Sequence, residues 1–160
     1  MRIVVMSDSH GNAAAVEAVV AQQPNAKLFI HLGDGLQEFK RVMESHPNRE
    51  YWCVRGNSDF MAAEESLVSG WVRDVKLVCT HGHHWSVKFG LDELKEMARD
   101  KFATIVLYGH THAAHNEYDN GLYILNPGSV SSPRDTSTPT YAIIDIEKKN
   151  VVCSIVELHQ

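Results

Sequence analysis

Five short apolar runs of the chain each end in a small polar cluster, and this repeated pattern restricts the fold more than any other feature. The clusters combine glycine with Asp, Asn, Ser or His, and they occupy residues 8–11, 33–35, 56–59, 81–84 and 109–112. Short apolar runs bounded by turn residues are typical of buried strands. Ligands of α/β sheets bind beyond the carboxyl ends of the strands, so parallel neighbours would bring the five clusters together.

The segments around the clusters predict a layered α/β fold. Helices are expected from Asn12, as the N-cap, to about Gln22, over 36–45, and over 91–102 with Phe102 on its apolar face. Strands are expected over 2–6, 27–31, 51–54, 75–80, 104–108, 114–118, 122–125, 140–146 and 151–157. Strand–helix alternation followed by consecutive hairpins predicts mixed β-sheets in one layered domain.

Length and composition limit the class of protein. The 160 residues predict a single domain over 1–160, with 44% hydrophobic residues to build its core. A net charge of −5 argues against long nucleic acid as a partner. No apolar stretch approaches the roughly 20 residues of a membrane span. Three cysteines, none in a CxxC pair, favour reduced thiols in a cytoplasmic protein.

Histidine is unusually frequent and is concentrated at the clusters. The chain has ten histidines, twice the number of Phe or Tyr, and seven lie in or beside the clusters: His10, His81, His83, His84, His110, His112 and His115. Asp, Asn and His without thiolate suit manganese, iron or zinc. The spacings Asp8-x-His10 and His110-x-His112 are expected to place both donors on one side of an extended segment. The donors outnumber the needs of one ion, which favours two ions that share a carboxylate.

The order Asp-x-His, Gly-Asp, Gly-Asn, His-Gly and Gly-His-x-His resembles the calcineurin-like metallophosphoesterases. The turn Asn126-Pro127-Gly128-Ser129 and the pair Pro133-Arg134 are similar to the small, single-domain phosphodiesterase branch of that family. The resemblance covers nearly the whole chain, from Asp8 to about Arg134 and into the closing strands. It implies a four-layer fold, in which two mixed β-sheets form a sandwich flanked by helices.

The resemblance also implies a site and a reaction. One metal would be held by Asp8, His10 and His112, the other by Asn57, His81 and His110, and Asp34 would bridge them. The implied enzyme is a phosphoric diester hydrolase that acts on small phosphodiester or nucleotide-like substrates, with a water or hydroxide between the ions as nucleophile. Manganese is the expected metal, and iron, nickel or zinc would also suit the donors.

One position departs from the pattern of many family members, which carry histidine after the Gly-Asn pair. Ser58 stands there, and a serine hydroxyl is a poor general acid near neutral pH. We therefore expect good leaving groups to be preferred, or His83 or His84 to serve as the acid. The catalytic candidates are Asn57, Ser58, His81 and His83. The substrate-contact candidates are Arg55, Ser58, His83 and Arg134. For Arg55 and Asp59, a surface ion pair is an equally good interpretation.

Other interpretations stay open at this point. The same site would serve a phosphomonoesterase or a nuclease, and the same fold carries a non-catalytic protein-interaction scaffold in a retromer subunit. A serine hydrolase is disfavoured because no GxSxG elbow occurs.

The substrate pocket is expected between the 58–72 and 83–90 loops and the 126–134 turn. A homo-oligomer is open too, with Trp71 and Trp85 at an interface or in the pocket. His31, His46 and His159 are interpreted as a packed strand residue, a helix-end residue and a chain-end residue.

Overall fold

The structure, a computed structural model, describes residues 1–135 and 138–160. Within these residues strands and helices alternate as far as the third strand, two more strands precede the last α-helix, and only strands follow that helix. The elements are β1 (Arg2–Met6), α1 (Ala13–Gln22), β2 (Leu28–His31), α2 (Leu36–Glu44), β3 (Glu50–Cys53), β4 (Leu67–Val72), β5 (Val75–Thr80), a 3₁₀ turn (His83–Trp85), α3 (Asp92–Asp100), β6 (Ile105–Leu107), β7 (Ala114–Asp119), β8 (Leu122–Pro127), β9 (Thr140–Glu147) and β10 (Asn150–Glu157).

The strands form two mixed sheets, as the pattern of elements predicted. The first sheet has the order β10-β9-β1-β2-β3, in which β1, β2 and β3 run parallel and β9 and β10 are antiparallel to their neighbours. The second has the order β4-β5-β6-β8-β7, with β5, β6 and β8 parallel and both edge strands antiparallel. The parallel strands of each sheet therefore end at one edge.

Apolar side chains pack in three layers between four layers of secondary structure. Ile3 and Val5 of the first sheet face Leu77 and Leu107 of the second sheet in the central core. The other face of the first sheet packs on α1 and α2, and the other face of the second sheet packs on α3. Strands that are covered on both faces have nearly continuous apolar sequences, and this holds for β1 and β2. The expected sandwich of two mixed sheets flanked by helices is confirmed.

The expected loop over 58–72 is wrong in its second half, because residues Leu67–Val72 form the edge strand β4. This strand pairs antiparallel with β5, with Leu67 opposite Thr80 and Val72 opposite Val75. Ser69 and Gly70 have low strand propensity and hide the element in the sequence. Gly70 lets the indole of Trp52 pack closely on this strand, since a Cβ atom would lie 2.9 Å from the ring and the indole would have to shift. Trp71 is exposed on this edge strand.

The helix expected over 91–102 ends two residues early. The backbone of α3 stops at Asp100, and Phe102 adopts a left-handed φ of 56°. Its ring is 84% exposed, so Phe102 does not belong to the apolar face that Leu94 and Ala98 form. Trp85, by contrast, is half-buried against the core beneath α3.

The N-cap of α1 is confirmed, because the Asn12 side chain accepts a hydrogen bond of 3.0 Å from the Ala15 N–H. Such a cap satisfies a backbone donor that the first helical turn leaves free. No helix in the described part of the chain has the length and apolar character needed to cross a membrane.

Candidate metal centre

The loops that follow β1, β2, β3, β5 and β6 meet at one end of the sandwich. Backbone hydrogen bonds join the first two loops, from the Asp8 N–H to the Gly33 carbonyl and from the His10 N–H to the Asp34 carbonyl, both at 3.0 Å. Another bond of 2.9 Å joins the Gly109 N–H to the His81 carbonyl. Parallel strands thus deliver the polar clusters to one place, as the sequence pattern predicted.

A first group of donors contains Asp8, His10 and His112. Asp8 Oδ1 lies 3.2 Å from His112 Nε2 and 3.7 Å from His10 Nε2. The two histidine Nε2 atoms are 3.1 Å apart. These are the three side chains that the resemblance assigned to one metal.

A second group surrounds the Nε2 atom of His81. Asn57 Oδ1 is 3.0 Å from it, His110 Nδ1 is 3.2 Å away and Asp34 Oδ2 is 3.4 Å away. Asp34 Oδ2 also lies 3.8 Å from His10 Nε2, so that this carboxylate stands between the two groups. Asp8 Oδ1, at 3.9 Å from His81 Nε2, does so as well.

The orientation of two imidazole rings tests whether these donors suit a cation. His81 Nδ1 is 2.7 Å from the Leu32 carbonyl and His112 Nδ1 is 2.8 Å from the Ser132 carbonyl. A carbonyl only accepts, so both Nδ1 atoms carry hydrogen, and in its neutral form each ring presents an Nε2 lone pair to the carboxylates. Asp8 Oδ1 is buried and has no hydrogen-bond partner among the described residues. A cation bound between these atoms would satisfy the facing lone pairs of the neutral rings and the carboxylates together.

The spacing of the donors agrees with a bound cation. Two atoms that are each about 2.1 Å from one divalent ion lie roughly 3.0–3.4 Å apart at octahedral to tetrahedral angles. The contacts within each group, 3.1–3.7 Å around His10 and 3.0–3.4 Å around His81, are close to this range. The donor set therefore fits divalent metal ions.

The electrostatics keep the two carboxylates and His110 in the forms that bind metals, whereas the Asp8 and Asp34 carboxylates raise the pKa of His10 and, against its burial, that of His81. Although burial opposes ionisation, the rings of His10 and His112 hold the pKa of Asp8 well below its usual range. Burial would also raise the pKa of Asp34, but hydrogen bonding with His81 and the Ser58 N–H lowers it to about 2. Burial lowers the pKa of His110 to about 4. Near neutral pH both carboxylates are ionised and His110 is neutral.

The backbone at the centre is strained, whereas the spacing of the ligands predicted extended segments. Five predicted ligands have φ between 44° and 73°: Asp8, His10, Asp34, His110 and His112. Residues other than glycine seldom adopt this left-handed region, which costs on the order of 1–3 kcal/mol and is concentrated at functional sites. The expectation of extended Asp-x-His and His-x-His segments is wrong. The side chains converge because the chain turns sharply at each ligand.

Asp59 ties two of the ligand loops together, a role that the sequence did not reveal. Its Oδ2 accepts hydrogen bonds from the N–H groups of Asp34 at 2.7 Å and Gly56 at 2.8 Å, and its Oδ1 accepts from Gly35 at 3.0 Å and Leu36 at 3.2 Å. The same carboxylate thereby caps the N-terminus of α2. Its place three residues after Gly56, typical of a side chain that closes a turn, was the available signal.

Gly56 allows the two loops to approach so closely. A Cβ atom on this residue would lie 2.2 Å from Asp34 Oδ1 and 2.5 Å from the Asp34 backbone nitrogen. Any side chain would therefore displace Asp34, which explains the glycine in the Gly-Asn cluster.

A buried polar network supports the loop after β1. His31 is fully buried, as expected of a packed strand residue, but its ring also bonds: Nδ1 accepts from the Gly33 N–H at 3.1 Å and Nε2 lies 2.9 Å from Ser9 Oγ. Ser9 Oγ donates to Glu38 Oε1, which also accepts from the Gly11 N–H, both at 2.7 Å. Glu38 was not singled out in the sequence, because its partners lie far away along the chain.

The 126–134 turn lies behind the ligand loops and lines neither of the two clefts described below, which corrects its expected place in the pocket wall. Ser129 Oγ and Ser131 Oγ donate to the Asp8 carbonyl at 2.8 and 3.1 Å, and the Arg134 N–H donates to the His112 carbonyl at 2.9 Å. The turn thus holds the backbone of two ligands. The exposed Arg134 side chain lines neither cleft, and its contact with substrate stays a prediction.

Two clefts open at the centre. The larger is a groove of about 960 Å³ that begins at His10, Asp34 and Ser58 and continues between α2 and residues 60–64. The smaller, of about 310 Å³, contains Arg55, Asn57, His83 and His84. Phe60 borders both clefts. The 58–64 segment forms a wall as expected, but α2 forms the wall opposite, which the sequence did not predict.

The other predicted contact residues differ in their surroundings. The Ser58 N–H donates to Asp34 Oδ1 at 2.8 Å, so that its backbone positions a ligand. His83 is half-buried, with its ring centroid 5.4 Å from that of His81, and burial lowers its pKa. The Arg55 guanidinium lies 3.4 Å from the Ala62 carbonyl at the edge of the smaller cleft. His115 bonds Glu117 at 2.9 Å and lines neither cleft.

Known proteins share this fold and sequence. A model of the calcineurin-like phosphoesterase superfamily domain matches residues 1–149. The probable metallophosphoesterase YsnB of Bacillus subtilis is 33% identical over 151 residues, which cover 92% of this chain and 85% of that protein. The phosphodiesterase YfcE of Escherichia coli is 28% identical, with 99% of this chain and 93% of that protein covered.

The structural comparison points to the same group. The crystal structure of a predicted phosphoesterase from Streptococcus pneumoniae superimposes with a TM-score of 0.85 at 30% identity, and the match covers 98% of this chain and 88% of that one. Fold, donor groups and sequence therefore agree, and the resemblance found in the sequence is confirmed. The chain belongs to the calcineurin-like phosphoesterase family and is a metal-dependent phosphoesterase.

Proposed function

We propose that the protein is a dinuclear phosphodiesterase that hydrolyses small phosphodiester or nucleotide-like substrates. The observation that carries this proposal is the pair of donor groups, around His10 and around His81, with the Asp8 and Asp34 carboxylates between them. Two divalent ions bound there would lower the pKa of a coordinated water and neutralise charge on the phosphoryl oxygens. Manganese is the metal we expect, and iron, nickel and zinc also suit these donors.

The chain's own residues position the ligands and contact the substrate. His81 and His112 are held by carbonyls through Nδ1, which keeps both Nε2 atoms directed into the centre. Arg55 at the smaller cleft provides a guanidinium for phosphoryl oxygens. Ser58 Oγ is a further hydrogen-bond donor to the phosphoryl group, and an N–H of His83 can donate to the leaving oxygen.

The proposal extends to partners and location. A net charge of −5 disfavours long nucleic acid, while two divalent cations at Asp8 and Asp34 would attract a small anion locally. We expect neither long nucleic acid nor a membrane as partner, and we propose a cytoplasmic location. A homo-oligomer stays open, since Trp71 on the edge strand β4 is 66% exposed.

Metal dependence tests the proposed function directly. Protein treated with a chelating resin should be inactive on bis-p-nitrophenyl phosphate, and manganese should restore turnover by at least about 100-fold, because the donor groups alone offer no electrophile. Elemental analysis after dialysis should find two ions per chain. Faster turnover of p-nitrophenyl phosphate or of single-stranded DNA would favour a phosphomonoesterase or a nuclease. Absence of metal-dependent turnover of every phosphoester would contradict the proposal and favour a scaffold.

The role of His83 has a separate test. Because its lowered pKa favours neutral imidazole near pH 7, we expect His83 to act as a hydrogen-bond donor more than as a proton donor. His83→Ala should lower kcat for methyl p-nitrophenyl phosphate by roughly 10-fold, in line with the loss of one hydrogen bond in the transition state. The loss should be larger for methyl phenyl phosphate, whose leaving group is more basic.

The matched control is His115→Ala, since His115 lines neither cleft. Its kcat should equal that of the wild type for both substrates. Equal rates for His83→Ala and wild type on methyl phenyl phosphate would exclude His83 from the reaction.

A further inference from the structure

The larger groove extends well beyond the metal centre, and the chemistry at phosphorus leaves most of it unused. His10, Asp34 and Ser58 line its inner end, and it then follows the exposed side of α2 as far as Glu44. Its volume of about 960 Å³ is within the roughly 300–1,000 Å³ that is common for sites of small molecules. A phosphodiester bound at the centre would place one of its two ester groups in this groove.

One wall of the groove is an exposed apolar surface. Phe60 and Met61 are 87% and 97% exposed, although both are large apolar side chains and adjacent in the sequence. Their loop is fixed by the Asp59 carboxylate, by a hydrogen bond of 3.1 Å from the Ala62 N–H to the Asp59 carbonyl, and by an ion pair between Lys40 and Glu64. Phe60 and Met61 thus offer a flat ring and a polarisable thioether in a positioned loop.

The opposite wall offers polar groups with free bonding capacity. Gln37 and Arg41 are exposed on α2 and line the groove. Neither side chain has a hydrogen bond or an ion pair within residues 1–135 and 138–160. A guanidinium stacks on aromatic faces, and a carboxamide both donates to and accepts from the edge of a heterocycle.

We propose that this groove binds the nucleobase of a nucleoside phosphodiester, with the ring between Phe60 and Met61 on one side and Arg41 on the other, and Gln37 at its edge. The inference rests on the proposed phosphodiesterase function and specifies its substrate class. An aliphatic alcohol can contact the apolar wall or the carboxamide, but it has no planar face on which the Arg41 guanidinium can stack. A nucleobase uses all of them.

The positions of the two clefts also indicate where each ester group of the phosphodiester binds. His83 lies at the smaller cleft and is the side chain placed to donate to a leaving oxygen. The leaving group therefore occupies the smaller cleft, and the nucleoside in the larger groove is the group retained on phosphorus. Hydrolysis breaks the bond from phosphorus to the leaving oxygen, forms a bond from phosphorus to the oxygen of water, and transfers a proton from water to the leaving group. The product is a nucleoside monophosphate.

Two substrates with one leaving group test the inference. Thymidine 5′-(p-nitrophenyl phosphate) and methyl p-nitrophenyl phosphate both release p-nitrophenolate but differ in the retained group. The manganese-loaded wild type should have a KM roughly 10-fold lower for the thymidine ester, since stacking of the base adds to the binding of the phosphodiester. In the double variant Arg41→Ala/Met61→Ala, whose two residues line only the larger groove, that KM should rise roughly 10-fold with kcat nearly unchanged, and the methyl ester should be unaffected.

The matched control is Phe89→Ala, because Phe89 is 93% exposed but lines neither cleft. Its kinetics should equal those of the wild type for both esters. A wild type without preference for the thymidine ester would overturn the inference, as would a double variant that weakens both esters equally.

A direct binding measurement separates this inference from the proposed function. Thymidine 5′-monophosphate is titrated calorimetrically into the manganese-loaded wild type and the double variant. Weaker binding to the double variant supports the groove as a nucleobase site even if neither ester is hydrolysed, in which case only the phosphodiesterase proposal fails. Equal binding to both proteins, or binding to neither, overturns the inference.

Discussion

Replacement of Asp34 by asparagine should abolish metal-dependent hydrolysis of bis-p-nitrophenyl phosphate, with a loss in kcat/KM of at least about 10³-fold, or on the order of 4 kcal/mol. Asp34 Oδ2 lies 3.4 Å from His81 Nε2 and 3.8 Å from His10 Nε2, between the two donor groups. Asparagine retains the shape but removes the charge that holds cations there. The measurement is steady-state kinetics, combined with the metal content of the dialysed protein, which should fall below that of the wild type.

The control for this variant is Asp74→Asn, since Asp74 is exposed in the turn between β4 and β5. Its metal content and kinetics should match the wild type. An Asp34→Asn protein that keeps both its metal and its activity would remove Asp34 from the site.

Much of the fold was predictable because local pattern and long-range packing agree there. The buried strands β1 and β2 are apolar runs, and each is followed by a glycine-containing cluster. The failures occur where a tertiary contact overrides local preference. β4 contains Ser69 and Gly70 and is a strand because β5 pairs with it and Trp52 packs on Gly70. Phe102 continues the helical spacing, but the helix has already ended.

The candidate site separates into a part visible in the sequence and a part that is not. The donors are visible because their residue types and their order along the chain are distinctive. What positions them is not visible, since the supporting bonds join distant segments: Glu38 reaches Ser9 and Gly11, and Ser129 reaches the Asp8 carbonyl. Left-handed φ values at the ligands cannot be read from residue type either, because aspartate and histidine adopt them more often than most residues but still at only a small fraction of positions.

Asp59 provides the strongest test of this support, because it does not belong to either donor group. Its two oxygens accept four backbone N–H groups, two at the start of α2 and one each from Asp34 and Gly56. Asp59→Ala would leave these donors without their acceptor and free the Asp34 loop. We expect manganese affinity to fall roughly 10–100-fold, as is usual when groups that orient metal ligands are removed, together with a loss of about 2–4 kcal/mol in the free energy of unfolding.

Asp59→Asn distinguishes positioning from charge. If the carbonyl oxygen of the asparagine faces the N–H groups of Gly35 and Leu36, its NH₂ group faces the N–H groups of Asp34 and Gly56, which then have no acceptor. In the reverse orientation Gly35 and Leu36 have no acceptor instead. We therefore expect the manganese affinity of Asp59→Asn to fall almost as far as that of Asp59→Ala. Excess manganese should restore kcat in both variants, and an unfolded protein would not recover in this way. Asp135→Ala, which removes a carboxylate whose one hydrogen bond within residues 1–135 and 138–160 is accepted from the Ala114 N–H at 2.9 Å, should leave manganese affinity unchanged. Wild-type manganese affinity in Asp59→Asn would show that the hydrogen bonds of the Asp59 carboxylate do not position Asp34.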